Sequence, residues 1–220
     1  MRKYYTRPCN FYYGNYAKQL VSKKKALFLA GNTNIAFDKI EVFKRIKKKT
    51  ESNYYFINDI NKLNKEKKKQ VLLDLKKIVL KRKSISGLKF NKPQIMGVLN
   101  ITPDSFSDGG LYLKDSKAYK QAAIMIKSGA AIIDIGGEST RPGSKTINEN
   151  KEWNRIKNTI IKLKKKNPSM PLSLDSRKSY VIDKGIISGV NIINDVSGLN
   201  FDKKSFNIIN KKKIPFILHH

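Results

Sequence analysis

After residue 93 the chain repeats one unit, a short apolar run of strand length followed by a stretch with apolar residues at helical spacing. The runs are IMGVL at 95–99, AIIDI at 131–135, PLSL at 171–174, VNII at 190–193 and IPFIL at 214–218. Between them, one helical face carries Tyr119, Ala122, Ala123 and Ile126. A second carries Trp153, Ile156, Ile160 and Leu163 and stops before Asn167-Pro168, because a residue preceding proline is pushed out of the helical region. A third runs through Val181, Ile182 and Ile186 to Gly189, and a short fourth surrounds Phe206 and Ile209. Strands that alternate with helices in this way predict a parallel sheet covered by its own crossovers.

Each apolar run is followed at once by polar chemistry: Asn100, then Gly136 to Arg141 (GGESTR), Asp175, Asn194-Asp195 and His219-His220. In a parallel α/β fold all strand ends lie on one side, so these groups share a rim. That is the arrangement of an active site on the C-terminal face of a (β/α)8 barrel, and a doubly wound sheet gives the same pattern. Spacing leaves both open. Taken singly, each residue also has a structural role to offer: Asp175 as a helix cap, Asn100 and Asn194-Asp195 as turn residues.

Four blocks narrow the choice. Met96 to Gly110 reads MGVLNITPDSFSDGG, Ile133 to Ser144 reads IDIGGESTRPGS, Leu172 to Val181 reads LSLDSRKSYV, and Ile192 to Leu199 reads IINDVSGL. In this order they resemble the signatures of the dihydropteroate synthases. The resemblance implies a (β/α)8 barrel that condenses 6-hydroxymethyl-7,8-dihydropterin pyrophosphate with p-aminobenzoate. It further implies Mg2+ held at Asn100, pyrophosphate contacted by Thr140, the same anion or the aminobenzoate carboxylate assisted by Arg141, and the pterin edge paired by Asp175 and Asn194. Phe106 and Pro142 would give the aminobenzoate its apolar contacts, and Asp175 and Arg141 would assist catalysis by electrostatics. These assignments are chemically coherent. Magnesium needs few protein oxygens when a pyrophosphate supplies others, and a carboxylate with a carboxamide can match an amino-pyrimidine edge. His220 matches the family's strand-end histidine and His219 departs from it. Adjacent strand residues face opposite ways, so the two do not make a metal pair.

Such a barrel has eight strands in typically about 250 residues, whereas five fit between Ile95 and His220. About five βα units are therefore expected, as the first portion of a longer protein, for which the family resemblance implies a homodimer at full length. The 220 residues alone are not expected to make dihydropteroate.

Residues 1–90 form a basic extension, expected as a small α+β unit ahead of the barrel domain at 91–220. They carry 24 Lys+Arg against 6 Asp+Glu, net +18. The stretch Tyr4 to Tyr16 is rich in tyrosine, and 26–31 with Ile35 to Phe43 suggest strands. An amphipathic helix is expected over Asn61 to Lys83, with Asn61 as cap and Leu63, Val71, Leu72, Leu75, Ile78 and Val79 as its apolar stripe, before a linker at Ser84 to Gly87. The chain's net charge of +29 is mostly lysine and accompanies abundant Asn and Ile, a pattern of composition more than of a binding surface. Neither nucleic acid nor membrane is thus an expected partner. No apolar run approaches the roughly 20 residues of a membrane span, Cys9 has no second cysteine to pair with, and a cytoplasmic location is expected.

Two other functions fit parts of the sequence. Pterin-binding barrels also serve methyltetrahydrofolate-dependent methyltransferases, although TPDSFSDGG and STRPGS resemble the pyrophosphate-using branch. An inactive, basic RNA-binding fragment is the other, but RNP-like and KH-like motifs are absent.

Overall fold

The computed structural model describes residues 3–46, 49–102, 111–139 and 143–219, the side chains of 111–115 excepted. The chain divides into two compact units, Met1–Lys83 and Ser84–His220.

In the second unit, five strands make one sheet: β5 (Met96–Asn100), β6 (Ile132–Gly136), β7 (Leu172–Asp175), β8 (Ile192–Asp195) and β9 (Phe216–Leu218). Their spatial order is β5-β6-β7-β8-β9, and every pair is parallel. This order answers the question that spacing left open. A doubly wound sheet reverses its strand order at a switch point, whereas a barrel adds each strand beside the last. The unit is a five-stranded sector of a (β/α)8 barrel.

The crossovers are α3 (Leu111–Lys127), α4 (Glu149–Lys166), α5 (Ser179–Ile187) and α6 (Lys204–Lys212). They cover one face of the sheet, where Leu99, Ile133, Ile135, Leu172, Leu174 and Ile193 are almost wholly buried against Ala122, Ile156, Ile160, Leu163 and Ile182. Burying each of the larger of these side chains stabilises the fold by about 1.5–3 kcal/mol. Glycine is required where a helix comes closest, since a Cβ on Gly185 would collide with Leu174. Helix α4 begins at Asn148, whose side chain accepts from the Asn150 N–H at 2.8 Å. Its first turn holds Glu149 and Glu152 and its last Lys164 to Lys166, each charge set against the helix dipole.

The N-terminal ends of the strands are closed by a turn. Ser84 to Gly87, expected as a linker, instead folds so that Ile85 and Leu88 bridge each other, with Gly87 at φ +84°. Leu88 then packs with Ile132, Ile192 and Met96. An apolar plug at this end leaves the opposite rim to carry the chemistry.

The first unit is an antiparallel sheet with helices. Strand β1 (Tyr4–Tyr13) and the long β3 (Asn32–Ile46) pair along most of their length, and β2 (Leu27–Leu29) and β4 (Lys49–Phe56) also pair with β3. A helix that the sequence reading did not anticipate, α1 (Gly14–Ser22), buries Ala17 against Ala26 and Ala36.

The expected helix over 61–83 is shorter, as α2 (Lys65–Val79). Its cap is Asn64, not Asn61: the Asn64 side chain accepts from the Lys67 N–H at 3.0 Å, while 57–62 form a 3-10 turn. At the other end Leu80 is extended, and Lys81 comes against Gly31, where a Cβ would stand 2.8 Å from that of Lys81. Val71 and Leu75 are buried as expected, but Leu72 is half exposed.

Candidate functional site

The strands run one or two residues further than the apolar runs, so the polar residues after each run are strand residues held in register. Asn100 pairs with Gly136, Gly136 with Asp175, and Asp175 with Asn194, which sets them in one row across four strands. Alternation turns this row away from the helix-covered face. Gly136 keeps the middle of the row open, because a Cβ there would lie 3.3 Å from both Asn100 Oδ1 and Asp175 Oδ2.

One layer deeper, Asp134 lies in register with Val98 and Ser173. Sequence reasoning missed it as a site residue. Its signal was a carboxylate inside an apolar run, two residues before Gly136 and so on the same face. Asp134 is 3% exposed; Oδ2 accepts from Asn194 Nδ2 at 3.0 Å, and Oδ1 has no partner among the described residues. The amide of Asn194 is held from its other end as well, since the His219 ring Nε2 lies 2.9 Å from Asn194 Oδ1. His219, which departs from the family pattern, thus faces the row. Thr140, Arg141, Phe106, Pro142 and His220 lie outside the described residues.

Asp175 is not a helix cap. Helix α5 has no side-chain cap from its own preceding residue, and the Ser179 N–H donates to Asp202 Oδ2 at 2.9 Å. The two roles proposed for Asn194-Asp195 also separate. Asp195 is the turn residue, its two oxygens accepting from the Ser197 and Leu199 amides, while Asn194 faces Asp134. Burial pushes the Asp175 carboxyl up to about 7, and nearby Asp134, Glu152, Asp195 and Glu138 add to the rise. A carboxyl poised there both donates and accepts near neutral pH.

The loop after β6 is rooted in a buried ionic cluster. Lys178 Nζ donates to Glu152 at 2.6 Å and to Glu138 at 2.9 Å, and all three residues are at most 6% exposed. Burial pushes the Glu138 carboxyl up, but the Lys178 hydrogen bond, the Ile147 amide and Arg177 outweigh it and hold it below its ordinary value. The cluster ties the start of the 137–147 loop to α4 and to the loop after β7.

Among the described residues no group of three or more His, Cys, Asp or Glu could hold a metal. A metal at this rim would therefore depend on few protein oxygens and take others from its substrate. The rim's hard donors suit magnesium: Asn100 Oδ1 lies at the exposed strand end, on the same side of Gly136 as Asp175 Oδ2. No described helix is long and apolar enough to cross a membrane.

Comparison with known proteins agrees with the fold of the second unit. The model of the pterin binding enzyme family matches residues 96–220, more than half of the chain. Dihydropteroate synthase of Bacillus subtilis is 43% identical over 129 residues, which cover 59% of this chain and 45% of that protein. The Clostridium beijerinckii dihydropteroate synthase is 42% identical over 139 residues, 62% of this chain and 51% of that one. The chain thus spans about half the length of the curated relatives it matches.

Among solved structures, the dihydropteroate synthase of Clostridium difficile in the presence of pteroic acid superposes with a TM-score of 0.56 at 41% identity. That match covers 59% of this chain and 49% of the other. The Xanthomonas albilineans enzyme with 4-aminobenzoic acid gives a TM-score of 0.57 at 34% identity, over 60% and 49% of the two chains.

Proposed function

The chain belongs to the pterin binding enzyme family, and from that premise we propose that its rim is the pterin side of a dihydropteroate synthase site. In the reaction, the bond between the pterin methylene carbon and a pyrophosphate oxygen breaks. The aromatic amine of p-aminobenzoate bonds to that carbon and loses a proton, and pyrophosphate departs with the electron pair of the broken bond.

The observation that carries this reading is the buried Asp134 Oδ1, which has no partner among the described residues and sits beside Asn194 in the layer beneath Asp175. A buried acceptor without a donor costs about 1–3 kcal/mol. An amino-pyrimidine edge brings donors to that place and an acceptor for the free Asn194 N–H. Asp175 supports the same reading, because its carboxyl is poised to follow charge that develops on the ring as the leaving group departs. No nucleophilic side chain is needed, so the protein contributes positioning and electrostatics.

Asn100 would hold Mg2+, which supplies charge neutralisation on the departing pyrophosphate. Thr140 and Arg141 are proposed to hold the same anion. Phe106 and Pro142 are proposed to contact the aminobenzoate ring.

Calorimetric titration of the full-length protein with dihydropterin pyrophosphate tests the metal assignment. Affinity should fall when magnesium is chelated, and Asn100→Ala should abolish most of that difference. A variant as magnesium-dependent as the wild type removes the metal from Asn100.

A further inference from the structure

The function proposed for the barrel unit leaves the first unit unexplained, and one face of its sheet is built unlike a solvent face. Register places three rows across β1, β3 and β4: Tyr5–Phe43–Ser52, Arg7–Glu41–Tyr54 and Cys9–Lys39–Phe56. The alternate residues, among them Tyr4, Ile40, Val42 and Tyr55, pack with Val71 and Leu75 of α2. The three rows therefore lie on the opposite, open face. An antiparallel sheet covered on one side normally turns polar residues to water on the other. Here the outward positions hold four aromatic rings, with Tyr54 63%, Phe56 48% and Tyr5 37% exposed.

Cations are set among these rings. Lys39 Nζ stands 4.5 Å from the centre of the Phe56 ring and Arg45 is exposed further along β3, while Arg7, 5.2 Å from the centre of the Phe43 ring, is ion-paired with Glu41. The one carboxylate in the rows, Glu41, is withdrawn from this surface. It is 4% exposed and is held below its ordinary range by a hydrogen bond from Ser52, and also by Arg7 and Tyr54. The face thus offers ring surfaces and positive charge together, in a unit whose charge is already strongly positive.

We propose that this open face binds single-stranded nucleic acid. Unpaired bases stack on aromatic rings without regard to sequence, while neighbouring Lys and Arg pair with the phosphates. Alternate residues along a strand are about 7 Å apart, a pitch that suits successive nucleotides of an extended strand. A duplex hides its base faces and has only phosphates to offer here. Lysine-rich composition, which by itself argued for no partner, does not explain why the rings occupy the outward positions.

The test uses the full chain and fluorescein-labelled oligo(U), oligo(dT) and a duplex of equal length, by fluorescence anisotropy at physiological salt. Binding of either single strand, at least tenfold tighter than the duplex, is expected; the two single strands tell RNA from DNA. Tyr54→Ala/Phe56→Ala removes no charge and should weaken binding at least tenfold with an unchanged salt slope. Phe56→Ala alone, which leaves the bonds of Glu41 in place, should lose part of that affinity with an unaltered circular dichroism spectrum. Lys69→Ala/Lys76→Ala, on exposed positions of α2, should cost less than the ring pair. No binding at physiological salt, equal affinity for duplex, or a loss confined to the lysine pair overturns the proposal. None of these outcomes bears on the pterin site, which lies in the other unit.

Discussion

Burial lifts the Asp175 carboxyl well above the range of a surface carboxylate. Its folded value of about 7 lies above the roughly 3.9 of an unfolded aspartate, so the folded state binds more protons between those values. The stability this adds is fully present below about pH 4 and is lost as the pH rises through 7. Asp175→Asn removes the effect. Urea unfolding at pH 5 and pH 8 should show wild type losing more stability across the interval than the variant, by on the order of 1–3 kcal/mol. Equal losses would mean that the carboxyl is ordinarily ionised. The strand-end residues Asn100, Asp175 and Asn194 were legible in the sequence because each follows an apolar run directly. Asp134 was not. A parallel strand buried on both faces reads as a continuous run, so alternation does not reveal which of its residues faces the site.

At the scale of elements, the ionic cluster Glu138–Lys178–Glu152 joins the loop after β6 to α4 and to the loop after β7. Removing one partner from a buried charge cluster leaves the others uncompensated, which costs about 3–5 kcal/mol. Lys178→Met should therefore destabilise the protein by that much in urea. Breaking the ion pair of Lys3 with Glu66, whose side chains are 47% and 63% exposed, should cost far less, because water screens it. Similar small losses for both would contradict the buried assignment. No single segment announces this cluster, since its members sit in a strand-end loop, a helix and a second loop, and only the fold brings them together. Local signals fared better. The four crossover helices appear where apolar spacing put them. Helix α2 was drawn too long because Leu63 keeps the apolar period and no Gly or Pro interrupts the chain between Val79 and Gly87, although the backbone leaves the helix after Val79. Helix α1 was missed for the opposite reason, as it buries little beyond Ala17.

For the whole molecule, the alternation of runs and helices predicted a parallel α/β fold, and the sequential strand order makes it a barrel sector. The order itself is written in contacts between strands and not in any one of them. What the sector provides is a single rim on which Asn100, Asp175 and Asn194 are aligned by register, above a buried acceptor awaiting a donor. The function proposed here requires that this row, and not merely the fold, serve dihydropteroate formation. Incorporation of radiolabelled p-aminobenzoate by the full-length protein, with dihydropterin pyrophosphate and magnesium supplied, is the decisive assay. Product should form, and Asp175→Asn should lower its formation by about 1–3 kcal/mol in kcat/KM, while Asp183→Asn on α5 leaves it nearly unchanged. No incorporation by the folded full-length protein, or equal effects of the two substitutions, would contradict the account.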